Sequence, residues 1–184
     1  MPEKIPKIPA AEYYDAIAQS YDRLYGEEQI HKAKLIRRRL KITATTNLLD
    51  VGCGTAIYSQ LFDCTYTGID PSEKLLFLAE THNPAGTFVL GTAESLPFAK
   101  GSFDIVIAIT SLHHTNGKTA IEEIHRVLKP RKILVTNTPD VRCAISVQKK
   151  SLKMKELEHS LREVFAGWKI EQVLDEKDVV FFIS

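Results

Sequence analysis

The stretch Leu48-Leu49-Asp50-Val51-Gly52-Cys53-Gly54-Thr55-Ala56 decides how the rest of the chain is read. An apolar run ends in Gly52-Cys53-Gly54 and helical spacing follows, the form of a buried strand that turns tightly into a helix. Such turns leave backbone N–H groups facing an anionic or polar ligand. A dinucleotide site wants a third small residue three positions after the second glycine; Ile57 stands there, so a pyrophosphate site is disfavoured. Asp70 follows in Gly68-Ile69-Asp70-Pro71-Ser72, eighteen residues after Gly52, where a carboxylate can accept both hydroxyls of a ribose. Together the two features favour a nucleoside without a diphosphate. Singly, they read equally well as an ordinary turn and as an N-cap for a helix at Ser72.

Outward from this loop, short β-branched runs alternate with helical spacing, the pattern of a parallel sheet with crossover helices. Strands are expected over Asn47 to Gly52, Thr65 to Asp70, Thr87 to Thr92, Phe103 to Thr110, Lys132 to Thr138, Trp168 to Asp175 and Asp178 to Ile183. Helices are expected over Ala56 to Phe62, Ser72 to Thr81, Lys118 to Leu128 and Ser146 to Phe165, the last with Leu157, Leu161 and Val164 on one face. Only Glu176-Lys177 separates the last two strands, too short for a crossover, so they form an antiparallel hairpin. Two further helices, Ala11 to Leu24 and Glu27 to Lys41, parted at Gly26, precede the sheet. The expected fold is α/β: a Rossmann-like, doubly wound, mostly parallel sheet of seven strands with a C-terminal hairpin and helices on both faces. Residues 1–45 form a helical cover on a core of residues 46–184, within one domain.

Composition narrows the class. The 184 residues are 44% hydrophobic and 26% charged, which excludes disorder and fibrous repeats. The longest apolar runs, Ile105 to Ile109 and Val179 to Ile183, are strand length, so no membrane insertion is expected. Prolines through residues 2–9 interrupt any secretory signal, and a cytoplasmic location is expected. The three cysteines, Cys53, Cys64 and Cys143, form no C-x-x-C pair, so neither a disulfide framework nor a metal site is expected. The net charge of +1 conceals segregation: residues 31–41 carry six cations and no acid, residues 142–155 five more, and the remainder 13 cations against 23 acids.

Five stations in order give the chain a family resemblance: Tyr13-Tyr14-Asp15 with Tyr21-Asp22, the Asp50 to Ala56 loop, Gly68-Ile69-Asp70, Gly91 to Phe98 leading into Phe103-Asp104, and Glu123 to Pro130. Across almost its whole length the chain resembles the class I S-adenosylmethionine-dependent methyltransferases, in the group of the quinone-biosynthesis and tRNA wobble-uridine enzymes. The resemblance implies S-adenosylmethionine as cofactor and S-adenosylhomocysteine as product. It places Gly52, Cys53 and Gly54 at the methionine part with Asp50 near the ammonium end. Asp70 would hold the ribose, Pro71 and Ser72 would flank the adenine, Thr92, Ala93 and Glu94 would meet its edge, and the backbone of Ile109, Thr110 and Ser111 would close over the sulfonium side. Tyr14 and Tyr21 lie in the leading helix that closes over the cofactor in the family; they read equally as an aromatic stripe holding that helix down. The chain departs from the family at Thr92, where Asp is common, and at Lys129-Pro130-Arg131-Lys132, where Lys-Pro-Gly-Gly is usual.

Methyl transfer from a sulfonium releases a group that needs no proton, so alignment and desolvation suffice and catalytic residues are few. The candidates at the ends of the fourth and fifth strands are Ser111, His113, His114, Thr115, Asn137 and Asp140; His113 and His114 are the imidazoles able to take a proton from an acceptor. No Asn-Pro-Pro-Tyr loop follows the fourth strand, which argues against adenine or amide N-methylation, and the cysteines read as packing residues rather than nucleophiles. Lys34, Arg37, Arg38 and Lys41 fall on one helical face, and Lys149, Lys150 and Lys153 form a second cluster, so the acceptor is either a small molecule or tRNA. The resemblance to the wobble-uridine enzymes also implies a small zinc-binding activator protein, docked at the edge strand Thr87 to Thr92. The compact chain and Thr92 admit a second reading, a cofactor-binding subunit without chemistry that acts as an interaction partner.

Overall fold

The computed structural model of the chain describes residues 9–130, 141–150, 153–175 and 177–184. Helix α1 (Ala10–Ile17) and helix α2 (Tyr21–Arg37) come first, joined by a single 3-10 turn, Ala18–Ser20. The sheet strands are β1 (Asn47–Val51), β2 (Thr65–Asp70), β3 (Thr87–Leu90), β4 (Ile105–Ile109), β5 (Cys143–Gln148), β6 (Ile170–Leu174) and β7 (Asp178–Ile183). Helices α3 (Glu73–His82), α4 (Gly117–Val127) and α5 (Met154–Val164) make the connections. The strand order is β3-β2-β1-β4-β5-β7-β6, the first five strands parallel and β7 antiparallel to both its neighbours. The expected α/β class and C-terminal hairpin are therefore observed.

Side-chain alternation divides the core in two. In β4, Val106 and Ala108 face the helices α4 and α5, with Ile121, Ile124, Leu157 and Leu161, while Ile105, Ile107 and Ile109 face α2, with Ala33 and Ile36. In β7, Val179, Phe181 and Ile183 take the first face and Val180 and Phe182 the second. Strands covered on both faces read as unbroken apolar runs, which is why β4 and β7 stand out in the sequence. Burying Leu157 and Leu161 holds α5 down by roughly 1.5–3 kcal/mol each. Ser72 caps α3 by accepting the Leu75 N–H, and Asn116 caps α4 by accepting the Thr119 N–H.

Three expectations are corrected. Residues Ser146 to Gln148 belong to β5, with Ser146 paired to Ile109 and Val180, and the helix begins only at Met154. A short run buried on both faces cannot be told from buried helix by period, and here the strand wins. The expected strand Lys132 to Thr138 lies outside the described residues. Ala56 to Phe62 is not a helix but a single 3-10 turn at Ser59–Leu61, because Ala56 itself adopts φ 49° and cannot open a right-handed helix. The leading helices part at Ala18–Ser20 and not at Gly26, which is buried inside α2. A Cβ on Gly26 would stand 3.2 Å from Ile57 Cδ1, so glycine serves close packing there at a cost to the helix of about 1 kcal/mol.

Candidate active site

Between β2 and β4 the order of connection reverses at β1, and ligands of open α/β sheets bind outside the carboxyl ends of the strands at such a point. A cavity of about 270 Å³ opens there. Its floor is the turn after β1. Gly52 has φ +73°, and a Cβ on it would lie 2.3 Å from Ser111 Cβ, so only glycine lets this turn lie against the loop after β4. Ser111 fastens the two loops by donating its hydroxyl to the Val51 carbonyl at 2.5 Å.

Asp70 ends β2 with 6% exposure. One carboxylate oxygen accepts the Gly54 N–H at 2.9 Å and the other the Ser72 N–H at 3.0 Å, so the carboxylate clamps the glycine turn to the loop before α3. It is not the helix N-cap; Ser72 is. Burial pushes Asp70 up to about 6, against the pull of these two N–H groups. Each oxygen keeps lone-pair capacity for a ligand, and Asp70 faces the cavity with Pro71 beside it.

Of the residues expected at the cofactor, Tyr14, Tyr21, Gly52, Asp70, Pro71, Thr92, Ala93, Glu94, Ile109 and Thr110 all line this cavity. Glu94 also accepts the Asn116 N–H at 2.9 Å, which ties the wall to the start of α4. Three others are not on the wall. Asp50 is fully buried below it, accepting the Tyr66 hydroxyl at 2.5 Å, and burial pushes it up to about 7. Its other oxygen has no hydrogen-bond partner among the described residues. Cys53 is buried against Gly68, and Gly54 contributes the N–H to Asp70 while packing on Tyr21. The station at Glu123 and Arg126 proves structural: Arg126 pairs with Glu123 and donates to the carbonyls of Leu96 and Phe98, holding the loop after β3 onto α4.

A second cavity of about 240 Å³ adjoins the first and shares Tyr14, Tyr21 and Thr110 with it. His113 lines this second cavity, whereas the His114 side chain, Asn137 and Asp140 lie outside the described residues. Ser111 and Thr115 line the first. Sequence reasoning missed the cluster at the junction. The Lys32 ammonium, 1% exposed, donates to Glu28 Oε1 at 2.6 Å and to Thr110 Oγ1 at 2.8 Å, and pairs with the Asp178 carboxylate. Ser146 Oγ sits 3.4 Å from Thr110 Oγ1 and donates to Asp178 Oδ2 at 3.4 Å, closing a ring of four polar groups from α2, the end of β4, β5 and β7. Thr110 itself has φ 55°, strained for a β-branched residue and held by this ring. The signal was present: Tyr21, Tyr25, Glu28 and Lys32 run i, i+4, i+7, i+11 along one helical face.

The basic stripe is broken up. Arg37 donates to the carbonyls of Leu61 and Leu40 and terminates α2, and Lys41 lies beyond the helix. Lys149 and Lys150 occupy the turn after β5, ahead of α5, and Lys153 donates to the Thr115 carbonyl at 2.6 Å. Among the described residues no helix is long and apolar enough to cross a membrane, and no metal-binding cluster is present.

Comparison with known proteins agrees with this geometry. The family described as "Methyltransferase domain" matches residues 49–136. A demethylmenaquinone methyltransferase of Lactococcus lactis is 30% identical over 183 residues, covering 89% of this chain and 71% of that one. A protein of uncharacterized function from Methanocaldococcus jannaschii is 33% identical, covering 90% and 69%. Among solved structures, a chain from the complex of the Haloferax volcanii Trm112 methyltransferase activator with a proposed methyltransferase superposes with a TM-score of 0.71 at 18% identity, covering 92% of this chain and 96% of that one. A glycine turn pinned by a buried carboxylate, at the switch point of a sheet with this strand order, thus coincides with the sequence relationship: the chain belongs to the class I S-adenosylmethionine-dependent methyltransferases.

Proposed function

We propose that the larger cavity binds S-adenosylmethionine and that the adjoining one holds the acceptor, so that the methyl group crosses at the shared wall of Tyr14, Tyr21 and Thr110. The observation that carries this is Asp70, whose two oxygens are aligned by the N–H groups of Gly54 and Ser72 at the cavity wall, as recognition of a ribose diol requires. When bound, the cofactor supplies an electrophilic methyl group on a sulfonium whose departing thioether needs no proton. Gly52 would lie at its methionine part, Pro71 at the adenine face, Thr92, Ala93 and Glu94 at the adenine edge, and Ile109 and Thr110 beside the sulfonium.

The chain's own part in the step is alignment and exclusion of water by the cover helices, with His113 taking a proton from the acceptor where the acceptor carries one. The names of the relatives favour a small-molecule acceptor, and a cavity roofed by α1 and α2 fits one. tRNA gains less support, since Arg37 is committed to carbonyls and Lys41 lies beyond α2, which leaves Lys34 and Arg38 of the four on one helical face. A catalytically silent binding subunit is not favoured, because a second cavity with an imidazole adjoins the first. An activator protein remains part of the proposal: β3 is an edge strand, Leu90 on it is exposed, and the Haloferax chain is similar to this one along its length.

Calorimetry tests the site. S-adenosylhomocysteine should bind the wild-type chain, and Asp70→Ala should weaken binding at least tenfold with the fold intact by circular dichroism; equal affinity in the variant overturns the assignment.

A further inference from the structure

The second cavity carries more information than its position. Tyr13, Tyr14, Tyr21 and Tyr25 form a continuous chain of rings along its wall, with centroids 5.2, 5.9 and 5.2 Å apart and planes crossed at 75°, 72° and 59°. Three of these phenols are held protonated: burial pushes Tyr14 up to about 12 and raises Tyr21 as well, and a hydrogen bond with Tyr13 raises Tyr25. The formal charges on the described wall, His113 apart, are Glu28 and Lys32, and they compensate each other.

Lys32 has three N–H donors, and Glu28, Asp178 and Thr110 accept them. None is left to receive a phosphate, sulfate or carboxylate. Glu28 is bound by Lys32 and, through its other oxygen, by Lys177 at 3.2 Å, so a cationic ligand would meet the Lys32 ammonium without an unmatched acid. A cavity of about 150 Å³ accommodates benzene. The roughly 240 Å³ here accommodates two fused rings, or one ring with substituents.

We infer that this cavity takes the methyl acceptor as a small, uncharged, planar aromatic molecule bearing a hydroxyl, a phenol of one or two rings; the inference rests on the neighbouring cavity being the S-adenosylmethionine site. The tyrosine rings supply edge-to-face and stacked contact for a planar ring, and the charge-balanced Glu28–Lys32 pair calls for no charge on it. In the step, a lone pair of the acceptor oxygen forms the new C–O bond to the methyl carbon. The carbon–sulfur bond breaks with its electron pair going to sulfur, which leaves as a neutral thioether. The hydroxyl proton passes to the His113 imidazole, the wall group suited to accept it, since Glu28 is bound by two ammonium groups and Lys32 donates all its N–H groups.

The test uses the full chain saturated with S-adenosylhomocysteine and three probes that share one ring system: 2-naphthol, neutral at pH 7, naphthalene-2-sulfonate, an anion, and 2-(aminomethyl)naphthalene, a cation. Calorimetric titration should find 2-naphthol bound at least tenfold more tightly than either charged probe. Tyr25→Ala, at a residue that lines the second cavity and not the first, should weaken 2-naphthol at least tenfold and leave S-adenosylhomocysteine affinity within twofold. Equal or tighter binding of a charged probe, or no effect of Tyr25→Ala, overturns the inference while the cofactor site stands. Displacement of 2-naphthol by bulk tRNA overturns it in favour of an extruded base. Failure to bind S-adenosylhomocysteine at all overturns the cofactor reading first, and this inference with it.

Discussion

Lys32, in the second cover helix, and Asp178, at the start of the last strand, form an ion pair with both side chains out of solvent, 1% and 0% exposed. Residues far apart in the chain are thereby joined beneath Thr110, at the wall common to both cavities. Removing one partner strands the other in the core, which costs about 3–5 kcal/mol, whereas replacing both with apolar groups of similar size is far less damaging. Lys32→Met should lower unfolding free energy in urea by that amount, and Lys32→Met with Asp178→Leu should recover most of it. A single variant as stable as wild type would show that the pair contributes nothing.

Asp50 titrates out of the ordinary carboxylate range, pushed up to about 7 by burial. Because the folded chain keeps this proton to higher pH than the unfolded chain, its stabilising contribution is complete below about pH 4 and is lost as pH rises to about 7. Asp70, raised to about 6, acts in the same direction. Unfolding free energies from urea titrations should decline from acid to neutral pH by up to about 4 kcal/mol more for wild type than for Asp50→Asn. Parallel curves would contradict a protonated Asp50.

Gly52→Ala should abolish cofactor binding more than it unfolds the chain. The added Cβ meets Ser111 Cβ at 2.3 Å and the residue must hold φ +73°. S-adenosylhomocysteine affinity should fall at least tenfold by calorimetry. Adding Ser111→Gly relieves the clash but not the backbone strain, so affinity should return in part; full return would mean that φ is irrelevant.

His113→Ala should reduce turnover about 10²-fold or more once an acceptor is in hand, with S-adenosylhomocysteine affinity unchanged, because His113 lines only the second cavity. Rapid-quench measurement of a single turnover isolates this step. An unchanged rate would leave alignment alone to account for catalysis.

Replacing Lys34, Arg38 and Lys41 together by Ala should leave tRNA retention in filter binding weak and equal to wild type at every salt concentration, because the Arg37 and Arg39 between them are turned to carbonyls and to Glu171. Arg37→Ala, by contrast, should cost stability of about 1 kcal/mol, because the carbonyls of Leu61 and Leu40 lose their donor.

The central strands are legible in the sequence because Leu48, Leu49 and Val51 lead into the glycine turn and Ile105 to Ile109 is apolar throughout. Gly52 and Asp70 are legible because their residue types leave few other roles at strand ends. What escapes is what tertiary contact overrides. A lysine within six cations reads as solvated, and only the sheet beneath it shows that Lys32 is buried. Ala56 carries no mark of its left-handed backbone, and β5, covered on both faces, has no period to separate it from helix.

The closed ring of Lys32, Thr110, Ser146 and Asp178 has a consequence for the order in which the molecule matures. Lys32 and Thr110 are made long before Asp178, so both groups await their partner until the last strand of the sheet has been synthesised. Only when β7 has left the ribosome and threaded between β5 and β6 is that ammonium neutralised and Thr110 locked. The wall common to the two cavities is thus the last part of the core to be completed.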